Sequence, residues 1–117
     1  MITPPFNAKI FLYRYPTDMR KSFNGLEILV REALKENPFS GHLFVFLNKS
    51  RTHLKTLYWD KDGFCLFYKR LEKGTYISSF ADISNLGSLE PTLYSMLLAG
   101  VDISYIKLRK RMNPILI

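Results

Sequence analysis

The sequence predicts an α+β domain: an antiparallel β-meander of four or five strands, with an amphipathic helix packed on one face and a second, C-terminal helix. Three observations lead there. Apolar residues recur with a helical period between Asp18 and Glu36, and three short apolar-rich runs separated by turn residues follow between His42 and Leu71. Further on, Leu89, Leu93, Met96 and Leu97 form an apolar stripe, with Pro91 in its first turn and Gly100 at its end. At 117 residues the chain can bury one hydrophobic core but not two. Residues 1–117 are therefore read as a single domain, with an extended lead-in over 1–7 and a basic tail over 103–117.

In chain order, Pro4 and Pro5 cannot donate to a ladder and keep the lead-in extended. Lys9 to Arg14 reads as the first strand. Pro16 disfavours helix at Tyr15, and Thr17 or Asp18 can accept from the free N–H groups of a helix start. On the helix expected from Asp18 to Glu36, Met19, Phe23, Leu26, Val30, Ala33 and Leu34 share one arc, and Arg20, Asn24, Glu27, Arg31 and Lys35 share another. Gly25 inside it costs about 1 kcal/mol relative to Ala, which suits a packing glycine or a close approach to a strand or partner. Asn37-Pro38 ends the helix and Ser40-Gly41 turns the chain into the sheet.

His42 to Leu47 is apolar on both sides, as an inner strand requires. His53 to Trp59 follows, with Leu54, Thr56 and Tyr58 on one face and Lys55, Leu57 and Trp59 on the other. Asp60-Lys61-Asp62-Gly63 signals a hairpin returning through Phe64 to Leu71. Two registers are open. A two-residue turn at Asp62-Gly63 sets Lys55 opposite Arg70, whereas a four-residue loop pairs Trp59 with Phe64, Leu57 with Leu66 and Lys55 with Tyr68. The second keeps apolar residues opposed and separates the cations, so it is preferred. Thr75 to Ser78 is expected to be another strand of the meander, Ser79 to Gly87 irregular, and the last helix capped by Ser88.

The net charge of +7 is unevenly placed. Residues 49–73 carry seven Lys/Arg against three Asp/Glu and residues 101–117 four against one, while residues 74–100 carry none against two. Such a field attracts polyanions. Lys49, Arg51, Lys55, Lys69, Arg70 and Lys73 could meet phosphate oxygens while Tyr58, Trp59 or Tyr68 stacks on a base; the competing reading is a core aromatic set edged by solvated cations. With Arg20 and Lys21 before the helix, and Lys107, Arg109, Lys110 and Arg111 in the tail, these cations are the candidate nucleic-acid-binding residues.

Other chemistry finds little support. Cys65 is the single cysteine, which excludes an intrachain disulfide and gives a thiolate zinc site no ligand set. Between Phe64 and Leu66 it reads as a small buried hydrophobe. His42 and His53 stand in no ligand or nucleophile motif, and no Walker loop, dinucleotide fingerprint or HExxH helix occurs. Asp18, Asp60, Asp62 and Glu72 would have to converge to hold a pair of metal ions for a nuclease. Turn chemistry and charge pairing are the preferred account of them. No run reaches the roughly 20 apolar residues of a membrane helix, and no export signal is apparent, so a soluble cytoplasmic protein without cofactor, metal or small-molecule substrate is expected.

One ordered set of short blocks goes further: Thr17-Asp18-Met19-Arg20-Lys21-Ser22-Phe23-Asn24-Gly25-Leu26, Pro38-Phe39-Ser40-Gly41, Leu43-Phe44-Val45-Phe46 with Asn48, and Leu54-Lys55. It continues through Leu57-Tyr58-Trp59-Asp60, Asp62-Gly63-Phe64, Lys69-Arg70-Leu71-Glu72-Lys73-Gly74 and Leu97-Leu98-Ala99-Gly100-Val101-Asp102. With these blocks the chain resembles the TnpB-type accessory proteins of the insertion-sequence sixty-six family, encoded beside a transposase and unrelated to the RNA-guided nuclease of the same label. The resemblance implies an accessory factor of transposition and supplies no catalytic residue. The expectation is a non-catalytic protein that contacts DNA or a transposase–DNA complex; the alternative is an adaptor that binds the transposase with little DNA affinity of its own.

Overall fold

A computed structural model describes residues 7–83 and 88–103. Five strands, β1 (Ile10–Leu12), β2 (Leu43–Leu47), β3 (His53–Asp60), β4 (Gly63–Arg70) and β5 (Ser88–Leu89), form one sheet in the order β4-β3-β2-β1-β5. Helix α1 (Phe23–Glu32) lies between β1 and β2 in sequence; a 3-10 turn (Phe80–Ile83) and helix α2 (Pro91–Leu98) flank β5. The α+β expectation holds, with a mostly antiparallel sheet. The meander itself is confined to β2, β3 and β4, because β1 runs parallel to β2. A helix between two neighbouring strands returns the chain to the end where it began, so the second strand must run with the first.

The sheet is covered on both faces. Ile10, Leu12, Leu43, Val45, Leu47 and Leu54 pack with Tyr76, Ile77, Ile83, Leu93, Tyr94 and Leu97 on the α2 side. Phe44, Phe46 and Leu57 pack with Leu26 and Val30 on the α1 side. β2 alternates between these two cores and is buried at all five positions, which is why its sequence shows no polar face. Each such fully buried Leu or Phe contributes about 1.5–3 kcal/mol relative to exposure.

α1 is shorter than its apolar period. The Asp18 carboxylate accepts the Arg20 N–H at 2.9 Å and Lys21 N–H donates to the Asp18 carbonyl at 3.0 Å, which folds 18–21 into a turn and leaves Ser22 at the N-cap. At the other end Lys35 takes a left-handed φ of 55°, and Glu36 N–H reaches back to the Val30 carbonyl at 3.1 Å. Met19 and Leu34 still pack on the α1-side core from outside the helix, which accounts for the overlong period. Inside α1, a Cβ on Gly25 would stand 3.2 Å from the Lys21 side chain, so Gly25 makes room for the turn before the helix.

The β3–β4 pairing is the preferred register: Trp59 faces Phe64, Leu57 faces Leu66 and Lys55 faces Tyr68. The turn itself differs from expectation. Asp60 pairs with Gly63, leaving Lys61-Asp62 as the loop, and Lys61 carries the positive φ of 53°. His42 lies just before β2 rather than in it, its Nδ1 accepting the Lys9 N–H at 3.0 Å. Thr75 to Ser78 is not a strand. Tyr76 N–H donates to the Arg51 carbonyl at 2.8 Å and Arg51 Nε to the Ile77 carbonyl at 3.1 Å, so this segment is tied to the β2–β3 connection, with Tyr76 and Ile77 fully buried. Glu90, not Ser88, is the N-cap of α2, because Ser88 and Leu89 pair with β1.

A buried polar contact joins the sheet to α2: Thr56 Oγ1 and Tyr94 Oη lie 2.8 Å apart, and burial pushes the Tyr94 hydroxyl up to about 12. Tyr94→Phe should lower unfolding free energy by about 1–2 kcal/mol in urea titration, and Thr56→Val added to it should cost less than the sum of the two single changes.

Candidate nucleic-acid interface

Strand directions gather the basic residues. Because β1 and β2 are parallel and β3 and β4 alternate from them, the segments after β1 (13–22), between β2 and β3 (48–52) and after β4 (71–76) emerge at one end of the sheet. Arg14, Arg20, Lys21, Lys49, Arg51, Arg70 and Lys73 lie on these segments or at the adjoining strand end, with Asp18 and Glu72 among them. Arg14 was not among the residues singled out in the sequence; counted as the last residue of a strand, it gave no sign of joining the later cations. The tail cations Lys107, Arg109, Lys110 and Arg111 lie outside the described residues.

Three of the candidate cations are committed to the fold. Lys55 is buried on the α1 side of β3, where Nζ donates to the Met19 and Lys21 carbonyls, both at 2.7 Å, beneath the Tyr68 ring at 4.7 Å. Burial holds its pKa below the ordinary lysine value, and the Asp18 charge opposes that shift. Lys69 Nζ donates to the Leu98 carbonyl at 2.6 Å, meeting the negative end of the α2 dipole. Arg51 holds the Ile77 carbonyl through Nε while its own backbone takes a φ of 61°.

The others are at the surface. The Arg20 guanidinium grips Asp18, Nη2 at 2.6 Å and Nε at 3.0 Å from Oδ2, but its side chain is 92% exposed. Arg70 pairs with Glu72 at 2.9 Å, both exposed. Such exposed pairs are worth little and open readily to a phosphate. Lys21, Lys49 and Lys73 are exposed, and their ammonium groups make no hydrogen bond or ion pair among the described residues.

Lys49 stands on a rigid turn. The Asn48 side-chain oxygen accepts Thr52 N–H at 2.9 Å and His53 N–H at 3.1 Å, and its amide nitrogen lies 3.1 Å from Ser50 Oγ. Across from this turn lies the Pro16–Met19 turn, and an open cleft of about 670 Å³ separates the two, lined by Thr17, Asp18, Lys49 and Ser50 among others. Thr17 N–H donates to the Leu47 carbonyl at 2.8 Å, fixing one wall to β2. The cleft is thus lined by a cation, hydroxyls and the Asp18 carboxylate, which Arg20 pairs, on well-anchored backbone.

The aromatic residues mostly lie elsewhere. Trp59, Phe64 and Phe39 form a cluster near the β3–β4 turn, with ring centroids 5.0–5.3 Å apart, at the end of the sheet opposite the cations. Tyr58 packs against the α2-side core. Of the three aromatic residues expected to stack on a base, Tyr68 alone, 51% exposed above Lys55, is open near the basic end, where Tyr15, also 51% exposed, lies under the Arg14 guanidinium at 5.0 Å. The carboxylates also divide: Asp60 and Asp62 sit at the hairpin turn, Asp18 and Glu72 at the basic end. Among the described residues no group of three or more His, Cys, Asp or Glu is placed to hold a metal ion, and no helix is long and apolar enough to cross a membrane.

The family model described as IS66 Orf2 like protein matches residues 8–108. The chain is similar to the uncharacterized protein y4jC of Sinorhizobium fredii, 36% identical over 116 residues and 97% of each chain. It is also similar to the uncharacterized protein y4hO of the same organism, 38% identical over 96 residues, covering 82% of this chain and 83% of that protein. No solved structure matches.

Two measurements separate structural from displayed charge. Lys55→Met should destabilise the fold by about 2–3 kcal/mol in urea titration, because it removes charge-assisted bonds to two carbonyls, whereas Lys49→Ala should stay within about 0.5 kcal/mol of wild type. Hydrogen bonds from Arg20 lower the Asp18 pKa from 3.8 to about 2. Its contribution is thus present above pH 3.8 and lost as pH falls toward about 2, and carboxyl NMR should place its midpoint there.

Proposed function

The chain belongs to the IS66 Orf2-like family of insertion-sequence proteins, and from that premise we propose that it is a non-catalytic accessory factor of transposition that contacts DNA through the basic end of its sheet. The observation that carries this reading is the convergence of Arg14, Arg20, Lys21, Lys49, Arg70 and Lys73 on one end of a rigid sheet, from segments far apart in sequence. Exposed cations on anchored backbone suit phosphate contact, which is strong at low salt and carries little sequence information. Lys55 and Lys69 act in this reading as supports, the first fixing the Met19–Lys21 turn and the second the end of α2. The separation of Asp60 and Asp62 from Asp18 and Glu72 favours a non-catalytic role over a metal nuclease.

A second reading rests on the Phe39–Trp59–Phe64 cluster, where Phe39 is 52% exposed. An exposed aromatic group away from the basic end suits a protein contact, and the chain then serves as an adaptor that holds the transposase. Co-purification after nuclease treatment separates the two, since an adaptor keeps the transposase and a DNA-bridged complex loses it.

For the leading reading, affinity for duplex DNA should fall linearly on a log–log plot against salt, and Lys49→Ala or Lys73→Ala should each reduce the slope by roughly one. Absence of binding at low salt, or binding indifferent to salt, overturns it. Cleavage of DNA with Mg²⁺ or Mn²⁺, abolished by Asp60→Ala or Asp62→Ala, would overturn the non-catalytic assignment.

A further inference from the structure

The two edges of the sheet are unequal. β5 closes one edge with two residues, whereas β4 leaves the other with eight, Gly63 to Arg70, and no proline. The Leu71 N–H donates to the Thr52 carbonyl at 2.9 Å, which fixes the phase of the hairpin: odd-numbered β4 residues bond to β3. The N–H and C=O groups of Phe64, Leu66, Tyr68 and Arg70 therefore point out of the sheet. A long edge of this kind, carrying Phe64, Leu66 and a 51% exposed Tyr68, is a template for another strand.

We propose that the occupant is a second copy of this chain, joined β4 to β4 across a two-fold axis at Leu66, so that two sheets of five strands become one of ten. The charges on and beside β4 select this register. With Leu66 facing its own copy, Phe64 meets the partner's Tyr68, Cys65 meets the partner's Phe67, and Asp62 meets the partner's Arg70, twice by symmetry. Moving the axis to Phe67 sets Arg70 against the partner's Phe64 and leaves Asp62 facing no cation. Moving it to Cys65 sets Lys61 against the partner's Lys69. Like charges directly opposed are unfavourable, and opposite charges and aromatic pairs are favourable. Within residues 61–71, which are β4 and its immediate flanks, the Leu66 axis alone opposes unlike charges, and it opposes no like ones. Arg70 belongs to both this edge and the basic end, so self-association is measured without DNA and stands or falls independently of DNA contact.

Asp62 and Arg70 are both exposed, so charge exchange leaves the fold intact, as circular dichroism will verify. Sedimentation equilibrium of wild type should show weight-average mass rising toward roughly twice the monomer with concentration. Asp62→Arg and Arg70→Asp, each placing like charges across the axis, should weaken association about tenfold. The double variant D62R/R70D should regain it, and an equal mixture of the two single variants should associate although neither does so well alone. A wild type that stays monomeric at every concentration, single variants that associate as wild type does, or a double variant that is not restored would each overturn the interface.

Discussion

A buried ammonium holds this fold at its basic end. Lys55 sits on a central strand, on a face otherwise occupied by Leu57 and Phe46, and it is tolerated because two carbonyls of the Met19–Lys21 turn and the Tyr68 ring replace its water. Those carbonyls precede α1, so the lysine ties to the sheet the helix start that Asp18 shapes. With the turn fixed, Arg20 and Lys21 are displayed rather than folded into helix. The wall of the cleft opposite Lys49 follows from the same anchor.

Most of the sheet was legible from alternation alone. The partition of β3 into a Leu54–Thr56–Tyr58 face and a Lys55–Leu57–Trp59 face, and the hairpin register, follow from pairing apolar residues and separating cations. What failed was non-local. The parallel pairing of β1 with β2 depends on which neighbour a three-residue strand selects, and Ile10-Phe11-Leu12 carries no mark of direction. Thr75 to Ser78 has strand composition, but its backbone bonds go to Arg51, a partner far back in the chain. Local pattern reports burial there correctly and geometry wrongly.

The candidate site shows the same division. Charge excess located the basic residues, yet sequence distance gave no way to tell a cation that supports the fold from one that faces solvent. Lys55 and Lys69 stand on strands and Lys49 and Lys73 in connections, but whether a strand lysine is covered is set by the turn before α1 and by the end of α2. The aromatic residues, close to the cations along the chain, separate in space because β3 and β4 carry Trp59 and Phe64 to the opposite end.

The pairing of β1 with strands on both sides bears on how the chain assembles. β2, β3 and β4 meet through short connections, and such local contacts form early at little entropic cost. β1, although made first, must wait for β2 to be synthesised and for α1 to fold back between them. Ile10 waits longer still for Leu89, which seals its other flank. A ribosome releasing this chain therefore leaves one flank of β1 exposed after β2 has paired with the other, and β5 acts as the latch that ends this exposure.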